Sequence, residues 1–179
     1  MKKTLRWVGA ALGAVAFLAL VSIGWGTSLP IDHSATCSAT YSVSRALVWQ
    51  AVDDDIGSAR WRSNIARIES APDVDGHEYY TEFDRSGKSM ILVETDGSPG
   101  STIVRTIVEQ PGAAFGGSWT YRVVDDRSGA KVTIVENGEV YNPIFRLAAR
   151  LTGYTSTMQQ YLVDLGDHFG ETTTADCAG

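Results

Sequence analysis

Residues 63–141 read in period two, apolar side chains alternating with polar ones. Six strands are predicted from this alternation, at 64–69, 78–83, 89–95, 101–109, 118–124 and 131–141. The breaks between them ("PDVDG", "DRSGK", "DGSPG", "QPGAAFGG", "DDRSG") carry the Gly, Pro and Asp chemistry of turns. Connections this short join antiparallel neighbours, so the run is a meander. Before it, the Thr- and Ser-rich stretch 34–42 reads as a polar-edged strand. Ser44 then caps a helix carrying Ala46, Leu47, Val48, Trp49 and Val52.

After the meander the period becomes helical. Asn142 is a good N-cap and Pro143 a good first helical residue. Ile144, Phe145, Leu147, Ala148 and Leu151 form one apolar stripe, which resumes with Tyr154, Met158, Tyr161, Leu162, Leu165 and Phe169. About 27 residues of amphipathic helix, kinked at Gly153, are expected. The class is α+β: a curved antiparallel sheet of six to seven strands wrapped around a long C-terminal helix. One helix does not fill such a sheet, so a cavity is expected.

The N-terminus changes the compartment. Lys2, Lys3 and Arg6 precede an uncharged stretch at 7–31, "WVGAALGAVAFLALVSIGWGTSLPI". Its most apolar part, 8–25, is roughly 27 Å long as a helix, close to a hydrocarbon core. The leading positive charge predicts a cytoplasmic amino end and an extracytoplasmic domain. Apolar length favours a retained single-pass anchor, contacting the membrane through residues 7–26; a cleaved signal peptide, leaving a secreted or periplasmic protein, is the alternative. The division is then anchor or signal peptide 1–31, folded domain 32–170 and loose tail 171–179.

A net charge of -6 without a basic stripe disfavours nucleic acid. The two cysteines, Cys37 and Cys177, lie at opposite ends of the exported part, where a disulfide is chemically permitted. The alternative is a small core residue and a cysteine in the tail. With no Cys/His cluster and three isolated histidines, no metal and no cofactor are expected.

The segments "YSVSRALVWQAVDD", "RWRSNIARIE", "GGSWTYRVV" and "VTIVENGEVYNPIFR" resemble, in this order, the START-like helix-grip superfamily, also called SRPBCC. That superfamily includes polyketide cyclase/dehydrase-like and lipid-transport proteins. The resemblance spans roughly 33–169 and implies the helix-grip fold with an internal cavity. It says less about contents, because such domains share a cavity and differ in what they hold.

Within that frame, Trp119, Tyr121, Val123, Val132, Ile134 and Glu136 share one strand parity. Glu94 shares parity with Met90 and Leu92, Arg105 with Ile103 and Ile107, and the two flank "DGSPG" as candidate cross-strand neighbours. Trp119, Tyr121, Ile134, Arg105, Tyr141, Phe145 and Met158 are the expected ligand-binding residues. The candidate catalytic carboxylates are Glu136 and Glu94, and no histidine falls on the predicted inner faces. "SGKS" is no phosphate loop, since Glu82 replaces its first glycine and it joins two strands. The preferred reading is a membrane-anchored domain holding a lipid or other hydrophobic small molecule. The alternatives are a cyclase/dehydratase-type enzyme using a cavity carboxylate and a cavity-less scaffold for a membrane partner. No oligomeric state follows from the sequence.

Overall fold

The computed structural model of the chain describes Gly13 and residues 23–74 and 76–179. The expected anchor therefore lies, apart from Gly13 and its end from residue 23, outside the described residues. Among those described, no helix is long and apolar enough to cross a membrane.

Alternation yields one open antiparallel sheet. Its strands are β1 (Asp32–Tyr41), β2 (Ile65–Val74), β3 (His77–Asp84), β4 (Ser89–Ser98), β5 (Thr102–Ile107), β6 (Phe115–Asp126), β7 (Gly129–Val140) and β8 (Asp176–Ala178). Their order is β2-β3-β4-β5-β6-β7-β1-β8. Register shifts between β2 and β3 and between β4 and β5 are bulges that bend the sheet. The pairs Asp32↔Glu139, Ile65↔Asp84, Phe83↔Ser89 and Phe115↔Val140 place several strand ends at one edge, the chain-entry end.

The eighth strand corrects the expected loose tail. Cys177 stands directly opposite Cys37 in the β1–β8 register, and the two form a disulfide. Backbone pairing and a covalent link thus hold the last residues on what is otherwise a sheet edge.

Among the described residues, three helices start at a capping side chain. In α1 (Arg45–Asp53) the Ser44 hydroxyl accepts from the Leu47 amide, and in α2 (Asp55–Ser58) the Asp54 carboxylate accepts from Gly57. Asn142 accepts from the amides of Ile144 and Phe145 at the start of α3 (Pro143–Thr152). The expected single helix is in fact two, because Gly153 adopts φ 88° and breaks it before α4 (Ser156–His168).

The two helices bury opposite kinds of face. Met158, Tyr161, Leu162 and Leu165 of α4 pack on Ala35, Cys37, Tyr121, Val123, Val132 and Ile134. Each large apolar side chain buried this way contributes about 1.5–3 kcal/mol. In α3 the one fully buried side chain is Arg146, whose guanidinium donates to the carbonyls of Leu29 (2.8 Å) and Tyr141 (3.0 Å). Its apolar stripe, expected against the sheet, faces out instead. The concave face is already filled by α4, and the inward side of α3 is given to Arg146 and the carbonyls it serves.

Candidate functional site

Between α4 and the inner face of β2–β4, β6 and β7 lies a cavity of about 210 Å³. Ile65, Met90, Leu92, Trp119, Tyr121, Ile134 and Met158 supply apolar wall. The mouth is at the chain-entry end, among the exposed Asn64, Lys88, Ser89 and Phe115. In volume it suits a small molecule or part of an acyl chain.

Two polar groups interrupt the apolar wall. Arg62 reaches in from the turn before β2 and pairs with Glu82 of β3: Nη1 meets Oε1, and Nη2 donates to Oε2 at 3.1 Å. That turn is tied to α4, since Asp164 accepts from the Ser63 amide (2.6 Å) and hydroxyl (2.9 Å) and from Gln160 (2.8 Å). Tyr161 stands beside it, with the Arg62 guanidinium 5.4 Å from its ring centre. The Tyr161 hydroxyl and Arg62 Nε are both buried without an acceptor. Burial also raises the Tyr161 phenol pKa, so it stays a neutral donor. Both atoms lie behind the cavity surface, as donors without an acceptor covered by the apolar wall.

A second buried ion pair lies outside the cavity lining. Arg105 pairs with Asp55 of α2, donates to the Val52 carbonyl, and lies 4.6 Å from the centre of the Tyr121 ring. Burial pushes the Asp55 carboxyl up to about 6, against the lowering effect of Arg105.

Of the seven expected ligand-binding residues, Trp119, Tyr121, Ile134 and Met158 line the cavity. Arg105, Tyr141 and Phe145 do not. Arg105 is taken up by Asp55. The Tyr141 hydroxyl sits between the carboxylates of Glu109 (2.6 Å) and Glu139 (2.5 Å), which raise its pKa. Phe145 points outward from α3. Glu94 is opposite Arg105 in register, as the turn implied, yet it borders a separate open hollow with Trp49 and Asp53. Burial raises its carboxyl pKa.

Glu136 does sit on the inner face, with both oxygens occupied: Trp119 Nε1 donates to one (2.8 Å) and His33 Nε2 meets the other (3.0 Å). The expectation that no histidine faces inward is thereby corrected. β1 begins at Asp32, before the expected residue 34, and the parity of Ala35 and Cys37 carries His33 inward. Its ring stacks on Tyr154 with centres 3.8 Å apart, and a side chain at Gly138 would collide with it. Glu136 thus fixes the Trp119 indole that forms cavity wall, and it does not itself line the cavity.

The residues that sequence reading passes over are Arg62, Glu82 and Tyr161. Glu82 is accessible to the parity rule, since it shares the inner face with Tyr80. Tyr161 belongs to the helix stripe, where its hydroxyl carries no separate signal. Arg62 precedes its strand in a turn, and no periodicity marks it.

No family model matches this chain, and no curated protein matches it. Solved structures do. The di-domain aromatase/cyclase BexL from the BE-7585A biosynthetic pathway superposes with a TM-score of 0.62 at 11% identity, over 93% of this chain and 60% of that one. The Zhui aromatase/cyclase from a Streptomyces strain gives 0.59 at 12% identity, over 77% of this chain and 91% of its own. Protein MLL2253 from Mesorhizobium loti gives 0.59 at 11%, over 77% and 97%. The chain spans less than two thirds of the di-domain protein. At these identities the likeness shows the fold: it is the helix-grip fold of the aromatase/cyclases and of the superfamily the sequence resembles.

Proposed function

We propose that the domain binds a small, largely apolar, neutral molecule bearing an acceptor oxygen, and that it does so on the extracytoplasmic side of a membrane to which residues 7–26 anchor it. The observation that carries this is the apolar wall, interrupted only by charges already paired or hydrogen-bonded within the protein or lying at the mouth, with two donors that lack an acceptor, Tyr161 Oη and Arg62 Nε, covered just behind it. A carbonyl, ether or hydroxyl oxygen satisfies the Tyr161 hydroxyl once that side chain turns towards the cavity, and an apolar body fills the rest. At about 210 Å³ the cavity holds a small molecule or a segment of one lipid chain rather than a whole lipid.

Binding is favoured over turnover because neither carboxylate in the cavity is a free base. Both oxygens of Glu82 face Arg62. Asp84 accepts from the Ser86 hydroxyl and the Lys88 and Ser86 amides, which lowers its pKa. A cyclase-type activity would need a proton acceptor that this lining does not offer.

Three molecules of equal size separate the terms: acetophenone (neutral, with an acceptor), isopropylbenzene (apolar) and benzoate (anionic). Titrated into the full chain in detergent, acetophenone is expected to bind roughly tenfold more tightly than isopropylbenzene, the value of about one hydrogen bond. Benzoate is expected to bind most weakly. Tyr161→Phe should narrow the first gap. Equal affinities in the parent, or displacement of none of them by filling the cavity with Met158→Trp, would sink the proposal.

A further inference from the structure

We infer that α3 lies flat on the membrane that anchors the chain, with its apolar face in the acyl boundary, so that the cavity mouth opens at the bilayer surface. The inference rests on the anchor proposed above and assigns a second, independent contact to the folded domain.

The first ground is the inverted burial of α3. Ile144, Ala148 and Leu151 fall at i, i+4 and i+7 on one side, with Phe145 beside them. All four are exposed, Ile144 at 53%, Phe145 at 51% and Leu151 at 74%, whereas Arg146 on the opposite side is 7% exposed. A helix that turns its arginine inward and its large hydrophobics outward is built for an apolar neighbour beyond the domain.

Position supplies the second ground. The uncharged run 7–22 leads directly into residues 23–29, and these lie against α3. Gly26 approaches the Pro143 backbone so closely that a side chain there would collide, and Arg146 holds the Leu29 carbonyl. A membrane crossed by the preceding run is therefore at this end of the domain. Seven of the eleven large hydrophobics exposed among the described residues are here too: Ile23, Trp25, Ile31, Phe115, Ile144, Phe145 and Leu151.

Charge is the third ground. The protein carries a net -6, yet from Val140 to Val163 it has no Asp or Glu, and its only charges are Arg146 and Arg150. Exposed Arg150 is placed to meet lipid phosphates, and α3 itself presents no carboxylate to an anionic surface, the nearest, Glu109 and Glu139, being bonded to Tyr141 at its start.

The cavity mouth shares this end. Phe115 both lines the cavity and stands exposed, and the preceding carbonyl, that of Ala114, accepts from the amides of Tyr141 (2.9 Å) and Asn142 (3.4 Å) at the start of α3. Thr157 and Met158 line the cavity from the first turn of α4. An apolar ligand held here exchanges with the bilayer without crossing water.

The test uses the full chain in vesicles of phosphatidylcholine and phosphatidylglycerol. Ala148→Cys, Leu151→Cys and, at the far end of the sheet, Arg127→Cys are spin-labelled without reductant, so that the native disulfide persists. Unchanged melting midpoints verify the fold, since all three positions are exposed. Labels at 148 and 151 should collide several-fold more with oxygen, relative to a water-soluble nickel chelate, than the label at 127. Nickel access equal to that at 127 overturns the inference and leaves the anchor standing. Exclusion of both reagents also overturns it, because the face is then covered by residues 7–22 or a second copy. Extraction of the parent chain by alkaline carbonate overturns the anchor and the inference with it.

Discussion

Reducing the Cys37–Cys177 bond should cost this domain a large part of its stability, and the structure sets the magnitude. The bond closes a loop with a sequence separation of 140 residues, nearly the whole domain. In the chain-entropy account a loop of that length removes about 17 cal/mol/K from the unfolded ensemble, or about 5 kcal/mol at 25 °C. The native state offers little to offset the loss. Three residue pairs join β8 to β1, so the freed tail frays and β1 becomes an edge. Fully buried Cys37 tolerates reduction as a small apolar residue, whereas Cys37→Ser would bury a hydroxyl; Cys177→Ser is therefore the cleaner variant. For a domain of this size about 5 kcal/mol lowers the melting midpoint by about 10–20 °C. Thermal and urea unfolding of the parent, with and without dithiothreitol, and of Cys177→Ser read the effect. The reduced parent and the variant should coincide, and both should show a steeper urea dependence than the oxidised parent, because the uncrosslinked denatured chain exposes more surface. A parent whose midpoint ignores the reductant, or a variant as stable as the oxidised parent, refutes the reasoning.

Two further perturbations probe the buried charges. Glu82→Gln should destabilise by about 3–5 kcal/mol because it leaves Arg62 buried without its counter-charge, whereas Arg62→Met combined with Glu82→Leu should be close to neutral in urea unfolding; equal losses from single and double variants would contradict this. Asp55, held at about 6 in the folded state against an ordinary 3.8, contributes stability that is fully present below the ordinary value and lost as pH rises through 6, by at most about 3 kcal/mol. Asp55→Asn should therefore gain on the parent between pH 4 and pH 7 in parallel urea titrations, and a difference that is flat with pH would show that Arg105 offsets the burial of the carboxylate in full.

What is legible in the sequence is local. Ser44, Asn142 and Pro143 announce helix starts because a cap depends on a few neighbouring backbone groups, and all three act as expected. The alternation in 63–141 locates all six strands of the meander for the same reason. Non-local facts are not legible. The α3 stripe states which side is apolar but not whether anything covers it, and a single buried arginine reverses the expected orientation. Cys177 meets Cys37 only because the tail returns along β1, a consequence of topology that spacing does not encode. His33 is misplaced by a short error in a strand boundary, which changes whether a residue belongs to the inner row at all.

The buried charges also bear on what the cavity can accept. Arg62 with Glu82 and Arg105 with Asp55 form two pairs that sum to zero around the aromatic wall. A negatively charged ligand would have to take Arg62 from Glu82 and leave that carboxylate without a partner, a cost of several kcal/mol against one new ion pair. A neutral oxygen needs only the Tyr161 hydroxyl, which lacks an acceptor and turns towards the cavity to meet it, and disturbs neither pair. Glu136 belongs to the same logic from outside the cavity. With both oxygens engaged by Trp119 and His33 it is spent on orientation, fixing the indole edge while the indole supplies wall. The carboxylates near this cavity are thus committed to holding cations, rings and, through Asp84, a turn in place, and the chemistry left to the ligand is recognition of an acceptor within apolar surroundings.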